Sequence, residues 1–441
     1  MIYVFTSAAW NYLPKSHLLA KSVKKYLPDS RMILGLPDKM TDDVDYRKYD
    51  FDEIIPLSED LINLPNHTGW IYSHTIVELA TAIKPFILCQ LLTRKDCEAV
   101  LYFDPDIMLF SPMDDMLAEF KNSSILLCPH VTQPEVNYQS IIDNELGSLK
   151  YGVFNFGYVG VKNSPDGRAF AEWWRDRCGT WCYDDIPNGV FTDQKWSDLV
   201  PCLFDSVKVL RSPRFDVATW NTTRRAFTGS LEKGFKVNGE PLGFYHFTGF
   251  DSGAHDVMLD RALAPAVQMQ LTAWYKQEHV KASQDPLCQR PWAFMNYSDG
   301  TAIPAKHRAY FRNDRDVQNF FRDPFDVTCN ANNYRNWYGR NIEGTPQDPD
   351  MRPDVQIVNL REELQGKSSE IVALKEELKT ARYLYERKVW EHKEARREAD
   401  GLRQEMSSQI ALREKLERSL SWRITAPLRS LSRFISKIKG K

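Results

Sequence analysis

Short apolar runs closed by turn residues alternate with helically spaced apolar positions through the first 250 residues. Ile2-Tyr3-Val4-Phe5 reads as a strand ending at Thr6-Ser7. Leu18, Leu19, Val23 and Tyr26 then recur at helical spacing, and Arg31 to Leu36 forms a second strand closed by Pro37-Asp38. This β-α-β opening with short connections predicts a parallel sheet covered by helices. Thr75 to Lys84 has a helical pattern stopped or kinked by Pro85, and Phe86 to Leu92 carries it on. Ala99-Val100-Leu101-Tyr102-Phe103 is uninterrupted apolar sequence, as expected of a strand buried on both faces. Further strands are predicted at Ser124–Cys128, Tyr151–Val161 and Gly243–Gly249. Helical segments are predicted at Ala169–Trp174 and from Thr192 onward.

The pattern changes twice beyond residue 250. Residues 254–340 are helical and aromatic, and 341–355 carry three prolines and a glycine, as a linker does. From 356 to 421 one heptad register runs without a skip. Its a positions are Ile357, Leu364, Ile371, Leu378, Tyr385, His392, Ala399, Met406, Arg413 and Leu420. This predicts a coiled coil of roughly 100 Å at ~1.5 Å per residue. It joins the chain to itself or to a partner protein. Residues 422–441 place Trp422, Leu428, Leu431, Phe434, Ile435 and Ile438 against six Lys and Arg with no acidic residue. A basic amphipathic segment of this kind suits the surface of an anionic membrane. The expected domains are therefore 1–253, 254–340, the linker 341–355, the coiled coil 356–421 and the tail 422–441.

Composition narrows the function. Across 441 residues, 57 Lys and Arg nearly balance 59 Asp and Glu, so no global charge points to nucleic acid. The eight cysteines are scattered, with no C-x-x-C pair, which fits reduced thiols better than a disulfide frame or zinc site. No run approaches the ~18 apolar residues of a membrane span, and the N-terminus lacks a secretory leader pattern. A cytoplasmic protein, peripheral on the inner face of the membrane, is the expectation.

Polar residues interrupt the apolar strands at a few points. Asp104-Pro105-Asp106 closes the strand 99–103, at the sheet end where ligands bind in open α/β folds. Pro105 disfavours a helical Asp104, which predicts an extended turn with both carboxylates on one side. Paired carboxylates there suit a hard divalent cation, and the cation a diphosphate. Asn155 is the one strongly polar side chain of its strand, Asp193-Gln194 opens a helical segment, and His246 sits on an aromatic strand.

In this order and at roughly these intervals, Tyr-Phe-Asp-Pro-Asp, Phe-Asn-Phe-Gly, Asp-Gln and His-Phe-x-Gly resemble the metal-dependent GT-A glycosyltransferases, chiefly family 8 and related bacterial surface-polysaccharide (O-antigen and capsule) enzymes. The resemblance covers about residues 1–250. It implies a Rossmann-like, mostly parallel α/β fold and a transferase acting on a nucleotide-sugar donor, with retention of configuration. It implies a glycan or lipid-linked glycan acceptor. Asp104, Asp106 and His246 would ligate Mn²⁺ (or Mg²⁺). Thr6, Ser7 and Tyr12 fall in the segment that matches the nucleotide-base site, and Gly249 in the turn after the histidine. Asn155 would lie near the anomeric carbon, Gln194 opposite the leaving group and Asp193 on a sugar hydroxyl, with Lys84 reaching a phosphate or hydroxyl. The sequence departs from the family after Gly249, where no Lys follows. The alternatives are a coiled-coil scaffold subunit with a non-catalytic N-terminal domain, or a metal-dependent phosphohydrolase of the haloacid-dehalogenase type.

Overall fold

The computed structural model describes residues 1–344 apart from 42–43, 251–253, 260–261, 263–264 and 329–331; beyond 344 it describes 388, 396, 399–415, 418, 424–425 and 427–429. Residues 1–338 form one compact unit and 339–441 a second.

The first unit is built on strands β1 (Ile2–Ser7), β2 (Ser30–Leu36), β3 (Glu53–Pro56), β4 (Ala99–Phe103), β5 (Ile107–Leu109), β6 (Ile125–Pro129) and β7 (Phe154–Lys162). A small hairpin, β8 (Asp184–Asp185) and β9 (Val190–Phe191), precedes β10 (Val207–Val209). The short strands β11 (Phe227–Ser230), β12 (Gly234–Val237) and β13 (Glu240–Pro241) lead to β14 (Phe244–His246). Seven strands form the central sheet in the order β10-β6-β7-β4-β1-β2-β3. It is mostly parallel, and β7 alone runs antiparallel to its neighbours β4 and β6. The α/β class and mostly parallel sheet expected from the apolar runs are what the chain forms.

Helices cover both faces because each apolar run of the sheet is two-sided. Val100, Tyr102, Phe5 and Ile33 pack with the helix Lys84–Leu92 and with Phe170 and Trp174 on one face. Val4, Leu101, Phe103 and Met32 pack with Leu19 and Val23 of the helix Leu13–Tyr26 on the other. The chain between Thr75 and Leu92 is two helices, Ile76–Ala82 and Lys84–Leu92. Thr75 and Glu78 close a capping box on the first, and Pro85 stands in the first turn of the second, where its missing N–H leaves no bond unmade.

Two local expectations are corrected. The run predicted as one strand from Tyr151 begins as the helix Gly147–Tyr151, and Gly152 turns the chain at φ +133° before β7 starts at Phe154. The segment after β4 is not extended: Ile107 N–H donates to Asp104 O at 3.0 Å, closing a tight turn with Pro105 inside it.

The described residues of 254–338 belong to the same unit. Tyr275 stacks on Phe247 with ring centroids 3.7 Å apart, and Trp292 Nε1 donates to Pro37 O at 2.8 Å. In the second unit residues 399–415 are helical and exposed, and Leu402, Met406, Ile410 and Leu412 are uncovered. Most of the coiled coil 356–421 and tail 422–441, and all but four residues of the linker 341–355, lie outside the described residues. No helix among the described residues is long and apolar enough to cross a membrane.

Candidate functional site

The tight turn at Asp104–Ile107 carries two carboxylates from β4 into β5. β5 pairs antiparallel with β14, His246 opposite Ile107, and Phe247 N–H donates to Asp106 O at 2.9 Å. This ladder, joining residues far apart in sequence, delivers the imidazole to the carboxylates. His246 Nε2 lies 3.0 Å from Asp106 Oδ1 and 3.9 Å from Asp104 Oδ2. One ligand atom from each of Asp104, Asp106 and His246 falls within 4.8 Å of the others.

Across the site β7 bulges. Its register against β6 jumps between Leu127/Val159 and Cys128/Asn155, which pushes Gly157 toward the turn. Gly157 O accepts from Asp104 N–H at 2.7 Å, and Asn155 Oδ1 accepts from Gly157 N–H at 2.6 Å. A Cβ on Gly157 would stand 2.6 Å from His246 Cε1, 2.6 Å from Asn155 Oδ1 and 2.9 Å from Asp104 Oδ2. A side chain there would crowd His246, Asn155 and Asp104, so glycine keeps the space beside them open.

Lys84 is buried on the floor. Its Nζ lies 3.1 Å from Asp104 Oδ1 and 3.3 Å from Asp193 Oδ2, donates to Phe156 O at 3.3 Å and sits over the Tyr102 ring at 4.4 Å. Tyr102 O–H donates a short bond to Asp104 Oδ1. Burial disfavours the charged form of Lys84, yet Asp104 and Asp193 outweigh it and raise its pKa. Burial raises the Asp193 carboxyl to about 6, with Lys84 opposing and Asp104 reinforcing the rise. Burial likewise opposes a charged His246, but Asp106, Asp216 and Asp104 together lift it to about 10. Four carboxylates, Asp104, Asp106, Asp193 and Asp216, thus converge on one lysine and one imidazole. Of these, Asp104 and Asp106 bring hard oxygen donors together with the His246 nitrogen, a set that fits a divalent cation of the Mn²⁺ or Mg²⁺ kind.

A cleft of ≈ 640 Å³ opens onto this cluster, lined among others by Ser7, Tyr12, Lys84, Asp104, Asp106, Gly157, Asp193 and Gln194. That size accommodates a small organic ligand. Gln194 is fixed by two bonds: its Nε2 donates to Tyr151 O at 3.2 Å and its Oε1 accepts from Phe156 N–H at 3.3 Å. Asn155 and His246 stand behind the lining, buried. Gly249 lies in the turn after β14 at φ +68°, with Thr248 on the cleft wall. Thr6 differs from the expectation: it is fully buried within β1, and its neighbour Ser7 reaches the cleft. A larger hollow of ≈ 910 Å³ lies beside β3, lined by Glu53, Phe86, Cys89 and Arg175, and among the described residues it brings together no set of metal-ligating side chains.

Three contributors escaped the sequence reading. Gly157 stands in the sequence as the last residue of Phe-Asn-Phe-Gly, with no role evident from the motif. Lys15, on the helix Leu13–Tyr26, is buried; its Nζ donates to Tyr12 Oη at 3.2 Å and lies 5.6 Å from the Phe250 ring centre. Asp216 lies behind His246, its Oδ1 3.7 Å from Nδ1.

No family model matches the chain. Two proteins of Bacillus subtilis (strain 168) are similar over part of it: the uncharacterized protein YfnF, 26% identical over 176 residues (39% of this chain, 57% of YfnF), and the uncharacterized protein YfnD, 28% identical over 181 residues (40% of this chain, 55% of YfnD). The match spans little more than half the length of either relative. Among solved structures, the galactosyltransferase LgtC in complex with donor and acceptor sugar analogues aligns at 16% identity and TM-score 0.37, covering 65% of this chain and 98% of LgtC. The glycosyltransferase GlyE of Streptococcus pneumoniae TIGR4 aligns at 14% and TM-score 0.37 (63% and 64%), and mouse xyloside xylosyltransferase 1 at 13% and TM-score 0.32 (56% and 96%).

Proposed function

We propose that the protein is a metal-dependent glycosyltransferase of the GT-A type, moving a sugar from a nucleoside-diphosphate donor to a glycan or lipid-linked glycan acceptor. The observation that supports this most is the meeting, at the carboxyl end of β4, of Asp104 and Asp106 on the wall of the cleft with His246 just behind it. Asp104, Asp106 and His246 would hold the cation, which would supply Lewis-acid neutralisation of the diphosphate of the leaving nucleotide.

The remaining roles follow from where each side chain is held. Ser7 and Tyr12 stand on the cleft wall contributed by β1 and the turn after it, and receive the nucleoside. Lys15, a buried cation bonded to Tyr12 and close to Phe250, takes the place of the lysine that does not follow Gly249. Lys84 fixes Asp193 and Asp104 at salt-bridge distance, so that Asp193 presents a carboxylate to a sugar hydroxyl. Gln194, pinned at both ends of its amide, offers a fixed dipole to the sugar face opposite the diphosphate, where a retaining transferase needs it. Asn155 orients Gly157 and the mouth of the metal site rather than lining the cleft itself.

Tyr102 and Lys84 both engage Asp104 Oδ1, which leaves Oδ2 for the cation. The exposed Leu402, Met406, Ile410 and Leu412 on the helical residues 399–415 support a coiled-coil contact with a second copy or a partner, compatible with catalysis in the first unit. Residues 422–441 are proposed to hold the protein on an anionic membrane face from the cytoplasmic side, where lipid-linked acceptors are built into surface polysaccharides.

A panel of nucleotide sugars incubated with the full chain and Mn²⁺, read as released nucleoside diphosphate, tests the proposal. One donor is expected to be hydrolysed above the rest, and turnover is expected to stop on chelation. Release indifferent to chelation across the panel would overturn the metal-dependent reading.

A further inference from the structure

Asp216 is a buried carboxylate that no described hydrogen bond engages. It is 1% exposed, and neither side-chain oxygen has a partner. Burying an unpaired carboxylate is expensive unless another group compensates it. Arg225, a buried guanidinium, offsets part of the Asp216 charge, but the hydrogen bonds of its neighbours go to the backbone. Arg225 Nη1 donates to Phe215 O at 2.9 Å and to Asp216 O at 3.3 Å. Asn221 Nδ2 donates to Asp216 O at 2.8 Å and to His130 O at 3.2 Å. These bonds, with His246 N–H donating to Val217 O at 2.8 Å, lock Asp216 at φ +48°, a left-handed conformation that non-glycine residues seldom adopt.

The locked backbone aims the carboxylate at the back of His246. Nδ1 of that ring is itself buried without a partner, 3.7 Å from Asp216 Oδ1. The Trp220 ring meets the imidazole edge-on at 5.4 Å and limits its rotation. The ring's other nitrogen, Nε2, faces Asp106 and Asp104.

We infer that Asp216 is a positioning residue for the metal site: its carboxylate, 3.7 Å away, draws the proton of His246 to Nδ1 and so keeps the Nε2 lone pair directed at the cation between Asp104 and Asp106. Outer carboxylates of this kind orient a ligating imidazole and increase its basicity, and removing one typically weakens metal binding ~10–100-fold. The inference rests on the metal reading of Asp104, Asp106 and His246. It assigns Asp216 no contact with donor or acceptor. The strained backbone is thus part of the site: it stations one charge behind the imidazole while the ligating face stays open to the cleft.

The test is Mn²⁺ binding by the full chain, followed as loss of the free-ion electron paramagnetic resonance signal, with no sugar present. D216N is expected to weaken binding ~10-fold and D216L up to ~100-fold, with far-UV dichroism showing that each variant is folded. The asparagine is the milder change because its amide oxygen can still accept the proton. In an H246A background D216N is expected to change affinity by less than twofold, an outcome a general structural role would not produce. Equal affinity of D216N and the wild type overturns the inference, even if D216L fails to fold. A D216N effect that persists undiminished without His246 also overturns it. Wild-type protein that binds no Mn²⁺ overturns the metal reading itself, and the inference with it.

Discussion

Lys84→Met removes the one buried cation that bridges Asp104 and Asp193, and the size and pH dependence of its effect can be worked out. The ammonium is 3.1 Å from one carboxylate and 3.3 Å from the other, with side-chain exposures of 6% for Lys84 and 3% for Asp193. Deleting one partner of such a pair leaves an uncompensated buried charge and destabilises by ~3–5 kcal/mol. Asp193 can lessen that loss by taking up a proton. Its folded pKa of about 6 already lies above the ordinary 3.8. At ~1.4 kcal/mol per tenfold change in the proton equilibrium, the gap corresponds to ~3 kcal/mol.

The sign follows from linkage. A carboxyl with a raised folded pKa binds its proton more tightly when folded. Its contribution is therefore fully present below about 3.8 and is lost as pH rises through about 6. Without Lys84 that pKa rises further, so Lys84→Met is expected to lose ~3–5 kcal/mol at pH 8 and only ~1–2 kcal/mol at pH 5. At ~2.1 cal/mol/K per residue, a unit of residues 1–338 loses roughly 1.4 °C of Tm per kcal/mol, or roughly 4–7 °C at pH 8. The assay is urea and thermal unfolding by tryptophan fluorescence in chelator, for wild type, K84M, D193N and K84M/D193N. In the double variant no carboxylate at 193 is left uncompensated, so it is expected to be more stable than K84M at pH 8. A K84M loss of the same size at both pH values, or a double variant no more stable than K84M, would refute the reasoning.

Other outcomes follow from the same geometry. Gly157→Ala places a Cβ 2.6 Å from His246 Cε1 and 2.9 Å from Asp104 Oδ2. Such crowding costs ~1–3 kcal/mol, and Mn²⁺ affinity measured by calorimetry is expected to fall at least ~10-fold while far-UV dichroism stays unchanged. Truncation after residue 344 is expected to leave donor hydrolysis intact and to abolish pelleting with anionic vesicles. Equal pelleting of full-length and truncated chains would remove the membrane role from residues 422–441.

Much of this site is legible in the sequence because its residues interrupt or end apolar runs. Asp104, Asp106, Asn155 and His246 stand out against strands whose other side chains are buried, and a mostly parallel sheet gathers strand ends at one edge. The geometry of their meeting is less legible. The turn at Asp104–Ile107 depends on one backbone hydrogen bond, and β5 pairs with β14 across more than 130 residues, a separation that local periodicity does not report. Asp216 lies in an aperiodic stretch between β10 and β11, where its burial is set by Arg225, Asn221 and a left-handed backbone. Tyr151 looks like strand in the sequence because aromatic and glycine residues dominate 151–161. The helix Gly147–Tyr151 and the turn at Gly152 are fixed instead by tertiary contacts, including the bond from Gln194 to Tyr151 O.

The central claim is that Asp104, Asp106 and His246 hold a divalent cation that binds a nucleotide-sugar diphosphate. Isothermal calorimetry of the preferred donor, titrated with and without Mn²⁺ into wild type and D106A, tests it most directly. The account predicts donor binding that strengthens at least ~10-fold with Mn²⁺ in the wild type, with that enhancement abolished in D106A. Donor affinity that is the same with and without Mn²⁺, or enhanced equally in D106A, would contradict it.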